Sequence, residues 1–189
     1  MNNKFWQHIQ FLPLALVAIM ALTRFHHFGS AFSLPDATLA VFFLAGMAFS
    51  GFWFFALLLL EAGMIDYLAI TQFSVSDFCI SPAYVCLIPT YAAMWFAGRY
   101  CSTFKALRFA DSFKTFGLAT IATTVAFVVS NGSFYVLSDR FGQLSWTQYL
   151  TQSAQYYPLY ICAALIYIVI GLAIVKLWKA MHLVTTVES

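Results

Sequence analysis

The chain carries two carboxylates, Glu61 and Asp66, inside a long apolar stretch. An ionisable side chain in such a stretch is costly and is therefore a candidate for function. Asp66 lies nearer the end of the stretch, where it could anchor a ligand, hydrogen-bond to neighbouring hydroxyl groups or reach the membrane interface. Glu61 lies deeper, and its alternative to a functional role is that of a structural residue hydrogen-bonded between helices.

Cys79 is a third candidate, because it lies in a polar and aromatic segment (77–84) that leads into another apolar stretch. Pro82 suits the first turn of a helix, so we expect Cys79 at the outer mouth of a bundle. A thiolate there could bind a late transition metal or a metal-bearing cofactor. The alternative is a small apolar filler, which is also our interpretation of Cys86, Cys101 and Cys162.

Several polar residues could line a ligand-binding cavity together with Asp66 and Cys79. Asn131, with Ser130 and Ser133, forms a polar patch that could contact a ligand or join helices. His26 and His27 are adjacent, and adjacent side chains do not converge easily on one metal. An interfacial role is favoured for them, with ligand contact by His27 as the alternative. Asp77 and Phe78 belong to a loop that could cover a ligand.

These residues must be positioned by membrane helices, because 62% of the 189 residues are hydrophobic and only 8% are charged. A helix needs roughly 20 apolar residues to cross the hydrocarbon core. Polar residues, Pro and Gly separate the apolar part of the sequence into six stretches. These predict an all-α, compact bundle of six transmembrane helices in a single domain (1–189). The predicted spans are 9–23, 37–50, 51–71, 82–101, 113–137 and 157–179, with a tight turn between the second and third.

The distribution of Lys and Arg predicts the orientation, since positive charge is retained in short cytoplasmic loops. With both termini in the cytoplasm, only Arg24 and Arg140 of the nine basic residues fall outside. The outer loops are then 24–36, 72–81 and 138–156, rich in aromatic, hydroxyl and amide side chains. We expect the first helix to be retained, because no small-residue cleavage site follows it.

Several function classes are disfavoured. A net charge of +2 is too small and too scattered for nucleic-acid binding. No GxxxxGK[ST] motif occurs, so any ATP-driven motor would be another protein. The absence of HExxH and GxSxG motifs argues against a membrane-embedded enzyme.

The sequence resembles the substrate-binding S components of energy-coupling-factor transporters, and more narrowly the solitary cobalamin transporters of that superfamily, the BtuM group of Gram-negative bacteria. The likeness covers nearly the whole chain in length, helix count and loop character. Its specific part comprises Leu34-Pro35-Asp36-Ala37, Asp66 and the segment 77–84.

The resemblance implies uptake of cobalamin, vitamin B12, across the bacterial inner membrane, with Cys79 as the cobalt ligand. Asp66 and Tyr84 match positions that contact the corrin ring or its amides. Removal of cyanide from cyanocobalamin, which would involve Cys79, is an associated activity of the family. Ala15, Ala18 and Ala21 do not form the AxxxA spacing with which S components dock, so no energy-coupling ATPase module is expected. The alternative is an S component for another small vitamin or a metal ion.

Overall fold

The computed structural model describes residues 11–25, 34–73, 76–104 and 109–185. These residues form seven α-helices and two 3₁₀ turns, and no β-strand occurs among them. The 3₁₀ turns are Asp77–Cys79 and Pro82–Cys86, and the second continues directly into a helix. The α-helices are α1 (Leu12–Phe25), α2 (Thr38–Ala48), α3 (Phe52–Phe73), α4 (Leu87–Cys101), α5 (Phe109–Leu137), α6 (Trp146–Ala154) and α7 (Tyr157–Thr185).

Three helices have the length and the apolar composition that a membrane crossing requires. They are α3, the part of α5 over Asp111–Leu137 and the part of α7 over Tyr157–Trp178. The first helix and α2 are apolar but shorter. Large apolar side chains cover much of the exposed surface of the long helices, as expected where lipid is the solvent. The all-helical class predicted from composition is confirmed for the described residues, and the three long apolar helices are compatible with the predicted membrane protein.

Helix α2 is the centre of the bundle, because all eleven of its residues are buried. A helix that is apolar on every side is stable only when it is surrounded, and α1, α3, α4 and α7 pack around this one. At 1.5 Å per residue α2 is about 16 Å long, roughly half the thickness of the hydrocarbon core. It is followed by the short turn predicted at Ser50-Gly51, after which α3 begins at Phe52.

The bundle has two ends, which we name after residues that lie there. The Asp66 end contains the last turn of α1, the first turn of α2 and the second 3₁₀ turn, which are linked by side-chain hydrogen bonds directly or through Asp66. At the Arg99 end, the guanidinium of Arg99 near the end of α4 donates a hydrogen bond to the carbonyl of Ser50, between α2 and α3. Consecutive long elements therefore run in opposite directions, as short connections require.

The structure differs from the predicted boundaries in one important place. Residues 138–156 were predicted to be an outer loop, but they contain helix α6. Ser145 caps this helix by accepting from the backbone N–H of Gln148, whose side chain accepts from the backbone N–H of Ser145. This reciprocal capping box is visible in the sequence as Ser-x-x-Gln, but the nine residues of α6 are too few to cross a membrane and too polar to stand out as an apolar span.

Smaller differences occur at other helix ends. The structure extends α1 to Phe25, starts α5 at Phe109 and continues α7 to Thr185. The predicted boundaries stopped at polar or charged residues, whereas backbone hydrogen bonding continues past them. Residues 82–86 were predicted as the start of a helix and form a 3₁₀ turn.

Candidate functional site

A buried ion pair joins α1 to α3 at the Asp66 end. Arg24 donates from Nε to Oδ1 of Asp66 at 2.7 Å and from Nη2 to Oδ2 at 2.6 Å. Arg24 is only 7% exposed and Asp66 only 6%. Two parallel N–H···O bonds match the planar fork of the guanidinium, which is the strongest form of this pair.

The third nitrogen of the guanidinium, Nη1, is also used. Its Nη1 donates to the hydroxyl of Tyr91 at 2.9 Å and to Oγ1 of Thr38 at 3.2 Å. Oδ2 of Asp36 lies 3.7 Å from the same nitrogen. Oδ1 of Asp36 accepts from both the hydroxyl and the backbone N–H of Thr38, at the start of α2. Burial of this cation is therefore compensated by two carboxylates and two hydroxyl groups.

Tyr84 completes the group, because its hydroxyl donates to Oδ2 of Asp66 at 2.7 Å. We call Arg24, Asp36, Thr38, Asp66, Tyr84 and Tyr91 the ion-pair cluster. It connects α1, α2, α3, α4 and the second 3₁₀ turn. The structure agrees with the hydrogen-bonded interpretation of Asp66, because the Tyr84 hydroxyl donates to its carboxylate. Arg24 adds a cation as a second partner. Asp66 and Tyr84, the two positions that the resemblance links to a corrin ring, are thus brought into direct contact.

The turn that carries Cys79 lies between α3 and the second 3₁₀ turn, five residues before Tyr84. Ser76 caps it by accepting from the backbone N–H of Phe78 at 3.2 Å, and the N–H of Ile80 donates to the carbonyl of Asp77 at 2.8 Å. Asp77 and Phe78 are exposed, as expected for residues of a covering loop.

Phe78 is held from two sides. Its ring centroid lies 5.7 Å from that of Phe134 on α5, in an edge-to-face arrangement. The guanidinium carbon of Arg140 lies 4.6 Å from the Phe78 ring centroid, within cation–π distance. Phe78, which directly precedes Cys79, therefore contacts both the end of α5 and the loop that follows α5.

An aromatic cluster extends from this point across the Asp66 end. Phe134 contacts Phe141 with ring centroids 5.5 Å apart, and Tyr135 lies 4.2 Å from Trp146 and 4.6 Å from Tyr149. Edge-to-face and tilted contacts of this kind add stability beyond the burial of their area. The cluster consists of Phe78, Phe134, Tyr135, Phe141, Trp146 and Tyr149, and it makes α6 part of the surroundings of the Cys79 turn.

Asn131 lies beside this cluster. Its side-chain amide donates to the carbonyl of Phe127 within α5 at 3.0 Å, and its backbone carbonyl accepts from the Tyr149 hydroxyl at 2.9 Å. Burial raises the pKa of the Tyr149 hydroxyl above its ordinary value, so this group is a neutral donor. The Tyr149 hydroxyl thus ties α6 to the backbone of α5, whereas the Asn131 side chain bonds only within its own helix.

Glu61 is the predicted candidate that finds no partner. Both of its carboxylate oxygens are shielded from solvent, and neither makes a hydrogen bond to any residue that the structure describes. The hydrogen-bonded structural role considered for it therefore has no counterpart in the described ranges.

Among the residues that the structure describes, the remaining ones considered in the sequence make no hydrogen bond or ion pair with the side chains of the ion-pair cluster. His26 and His27 lie outside the described residues. Cys86, Cys101 and Cys162 are free thiols, and Cys101 is buried as expected for a filler. Among the residues whose positions are described, no three His, Cys, Asp or Glu side chains form a group that could hold a metal ion.

Two clefts lie at the Arg99 end, away from the Cys79 turn. One, of about 280 Å³, is lined by the ends of α2 and α4, including Gly46 and Arg99. The other, of about 240 Å³, lies between α5 and α7, where Lys176 donates to the Ser112 hydroxyl. Neither contains a candidate residue from the sequence.

Comparison of the chain with protein-family models and with the curated proteins finds no match.

Three residues of the ion-pair cluster, Arg24, Thr38 and Tyr91, are not among the candidates from the sequence, and Arg24 appears there only as a loop charge outside the membrane. A signal for it exists in the sequence. Asp66 lies within an apolar span and needs a cation, and Arg24 immediately follows the predicted end of the first span. Basic residues in the last turn of a membrane helix are candidates for that partner.

Replacing Arg140 with glutamine is expected to loosen the turn that carries Cys79. Cation–π contacts at exposed sites contribute about 0.5–1 kcal/mol, so amide hydrogen exchange in this turn should rise about 2- to 5-fold. Arg140→Lys keeps a cation near the ring and should show a smaller change. Hydrogen exchange followed by mass spectrometry measures this, and equal exchange in wild type and Arg140→Gln would show that the contact does not hold the turn.

Proposed function

We propose that this chain is an integral membrane protein that binds cobalamin and mediates its uptake, with the Cys79 thiolate as an axial ligand of the cobalt. The observation that carries the proposal is the position of the Cys79 turn at the Asp66 end. It adjoins an aromatic cluster on one side and leads within five residues to the Tyr84–Asp66 hydrogen bond on the other. The sequence resemblance assigns ligand contacts to these same three residues.

The chemistry of the residues supports a corrinoid as substrate. A corrin presents a large, mostly apolar ring with amide side chains at its rim, which aromatic side chains and carboxylate or hydroxyl acceptors can bind. Cobalt(III) has an exchangeable axial position that a thiolate occupies strongly. Because a thiolate is a strong donor, it weakens the bond to a cyanide on the opposite face of cyanocobalamin. We therefore include release of that cyanide as a secondary activity of Cys79.

For the membrane arrangement we propose six crossings, with both termini in the cytoplasm. The ion-pair cluster strengthens this orientation, because Arg24 is neutralised by Asp66 and no longer counts as a free charge in an outer loop. Of the nine basic residues, Arg140 then remains as the one placed outside that has no ion pair with a described residue. The shortness of α2 is compatible with a crossing, because protein surrounds it on all sides and its connections need not face lipid.

The proposal is tested by the visible absorption spectrum of the protein purified from cells fed cobalamin. We expect a corrin spectrum shifted from that of free cobalamin, and loss of the shift in Cys79→Ala. Cys162→Ala is the matched control, because Cys162 is a free, exposed thiol on α7, and it should retain the shift.

A colourless wild-type protein would overturn the cobalamin assignment. The chain would then be proposed as an S-component-like protein for another small vitamin or a metal ion. An unchanged shift in Cys79→Ala would keep the corrinoid as substrate and remove the thiolate as its ligand.

A further inference from the structure

Glu61 lies close to the middle of a helix that is long enough to cross the membrane. It is nine residues after the start of α3 at Phe52 and twelve before its end at Phe73. At 1.5 Å per residue this places it about 14 Å along the helix from Phe52, and about 7.5 Å deeper than Asp66. Glu61 is therefore the deepest carboxylate of α3.

Its two oxygens are unusual within the bundle. Each exposes almost no surface, and neither has a hydrogen-bond partner in the part of the chain that the structure describes. The other side-chain atoms of this kind belong to Ser81 and Trp95, which carry no charge. An ionised carboxylate that lacks both water and a partner is the least stable buried group, whereas its protonated form is neutral.

Among the described residues of the helices packed against α3, no free charge is available to stabilise the ionised form. The helices packed against α3 are α1, α2 and, through Phe55 and Trp95, α4. In its described range α1 carries one charged residue, Arg24, whose guanidinium is already shared between Asp66 and Asp36.

The other packed helices offer nothing more. Helix α2 carries no titratable side chain. The charged residue of α4 is Arg99, at the Arg99 end, where it bonds to Ser50. The tyrosines of α4 are Tyr91, which belongs to the ion-pair cluster, and the exposed Tyr100, and its thiol is the buried Cys101.

We propose that Glu61 is a proton-binding site, occupied by a proton in this state of the protein, and that the proton is exchanged with water during transport. In the exchange the O–H bond of the carboxyl group breaks and the proton passes to a water molecule, which leaves a carboxylate that must be hydrated or paired. The bundle must therefore open around α3 for the proton to leave. Movement of a large substrate past α3 supplies such an opening, and in this respect the inference rests on the proposed uptake function.

The occupied site is tested by infrared spectroscopy of the purified full-length protein in lipid. A protonated carboxyl group without a hydrogen-bond partner has a C=O stretching band at high frequency. The band shifts when deuterium replaces the carboxyl proton. We expect this band at neutral pH in wild type and its loss in Glu61→Gln. Asp139→Asn is the matched control, since it removes an exposed carboxylate at a left-handed residue with φ 55° that asparagine also tolerates. Absence of the band in wild type, or its persistence in Glu61→Gln, would overturn the site.

Coupling is tested by cobalamin uptake into vesicles with and without an inward proton gradient. Wild type and Asp139→Asn should be stimulated by the gradient. Glu61→Gln should lose the stimulation but keep the corrin spectrum, which also shows that it folds. Glu61→Asp, which keeps a carboxyl group, should recover part of the stimulation by the proton gradient. Equal stimulation in wild type and Glu61→Gln would overturn the coupling of uptake to Glu61 and leave the proposed substrate intact. A wild-type protein that carries no corrinoid would overturn the substrate, and the infrared result would then decide the proton site.

Discussion

Replacing Arg24 with methionine is expected to lower the free energy of unfolding by about 3 to 5 kcal/mol. The substitution removes both hydrogen bonds that Asp66 receives from the guanidinium and leaves a buried carboxylate with Tyr84 as its donor. An uncompensated buried charge costs far more than the pair contributes when complete. Equilibrium unfolding in mixed micelles of a mild detergent and dodecyl sulfate, followed by circular dichroism, measures the change.

Two further variants separate the cost of an orphaned charge from a loss of packing. Arg24→Met combined with Asp66→Leu removes both charges, so most of the lost stability should return. Lys114→Met removes the cation of the pair between Lys114 and Asp111, where the lysine side chain is 63% exposed. That change should stay within about 1 kcal/mol. If the double variant were no more stable than Arg24→Met, the effect would not come from the unpaired Asp66.

Gly98→Ala is expected to destabilise the centre of the bundle by about 3 kcal/mol, the upper end of the cost of overpacking. A β-carbon at Gly98 would collide with the backbone carbonyl of Phe43 on α2. The same is true in reverse, because a β-carbon at Gly46 would collide with the backbone carbonyl of Trp95 on α4. Since the obstacle is backbone in a fully buried helix, it cannot rotate aside, and the two helices must separate.

Gly63→Ala is the matched control for this prediction. Gly63 also lies inside a membrane helix, but a β-carbon there has no heavy atom within 4 Å. Alanine should therefore raise the stability by about 0.5–1 kcal/mol through its higher helix propensity. The two Gly→Ala variants should shift the same unfolding transition in opposite directions. A shift of equal sign and size would show that the contact between α2 and α4 is not close.

These two predictions concern opposite ends of α2. The glycines let α2 and α4 approach until their backbones touch, and small residues at helix interfaces serve this purpose in membranes. The ion-pair cluster then ties the Asp66 end of α2 to α1, α3 and α4. Together they hold α2 at both ends, and the ion-pair cluster also holds Tyr84 through Asp66.

Some of this could be read from the chain without coordinates. A composition that is 62% hydrophobic and 8% charged predicts a membrane protein, because so apolar a surface is costly to expose to water. The turn at Ser50-Gly51 followed from length, since the apolar run around it is about twice what one crossing needs. The choice of Glu61 and Asp66 as candidates followed from the cost of a charge in a low-dielectric interior, which depends on residue type and depth.

The partners of those carboxylates could not be read in the same way, because they depend on how each helix is rotated about its axis. Asp66 and Glu61 are five residues apart on one helix, yet the first is bonded to Arg24 and Tyr84 and the second to no described residue. The same holds for Gly46 and Gly98. Each lies where α2 and α4 cross in close contact, and the sequence does not show where two helices cross. Hydropathy reports how apolar a segment is; the packing of α1, α2 and α4 against α3 decides which side chains meet, because rotation and crossing angle are set by contacts among all the helices at once.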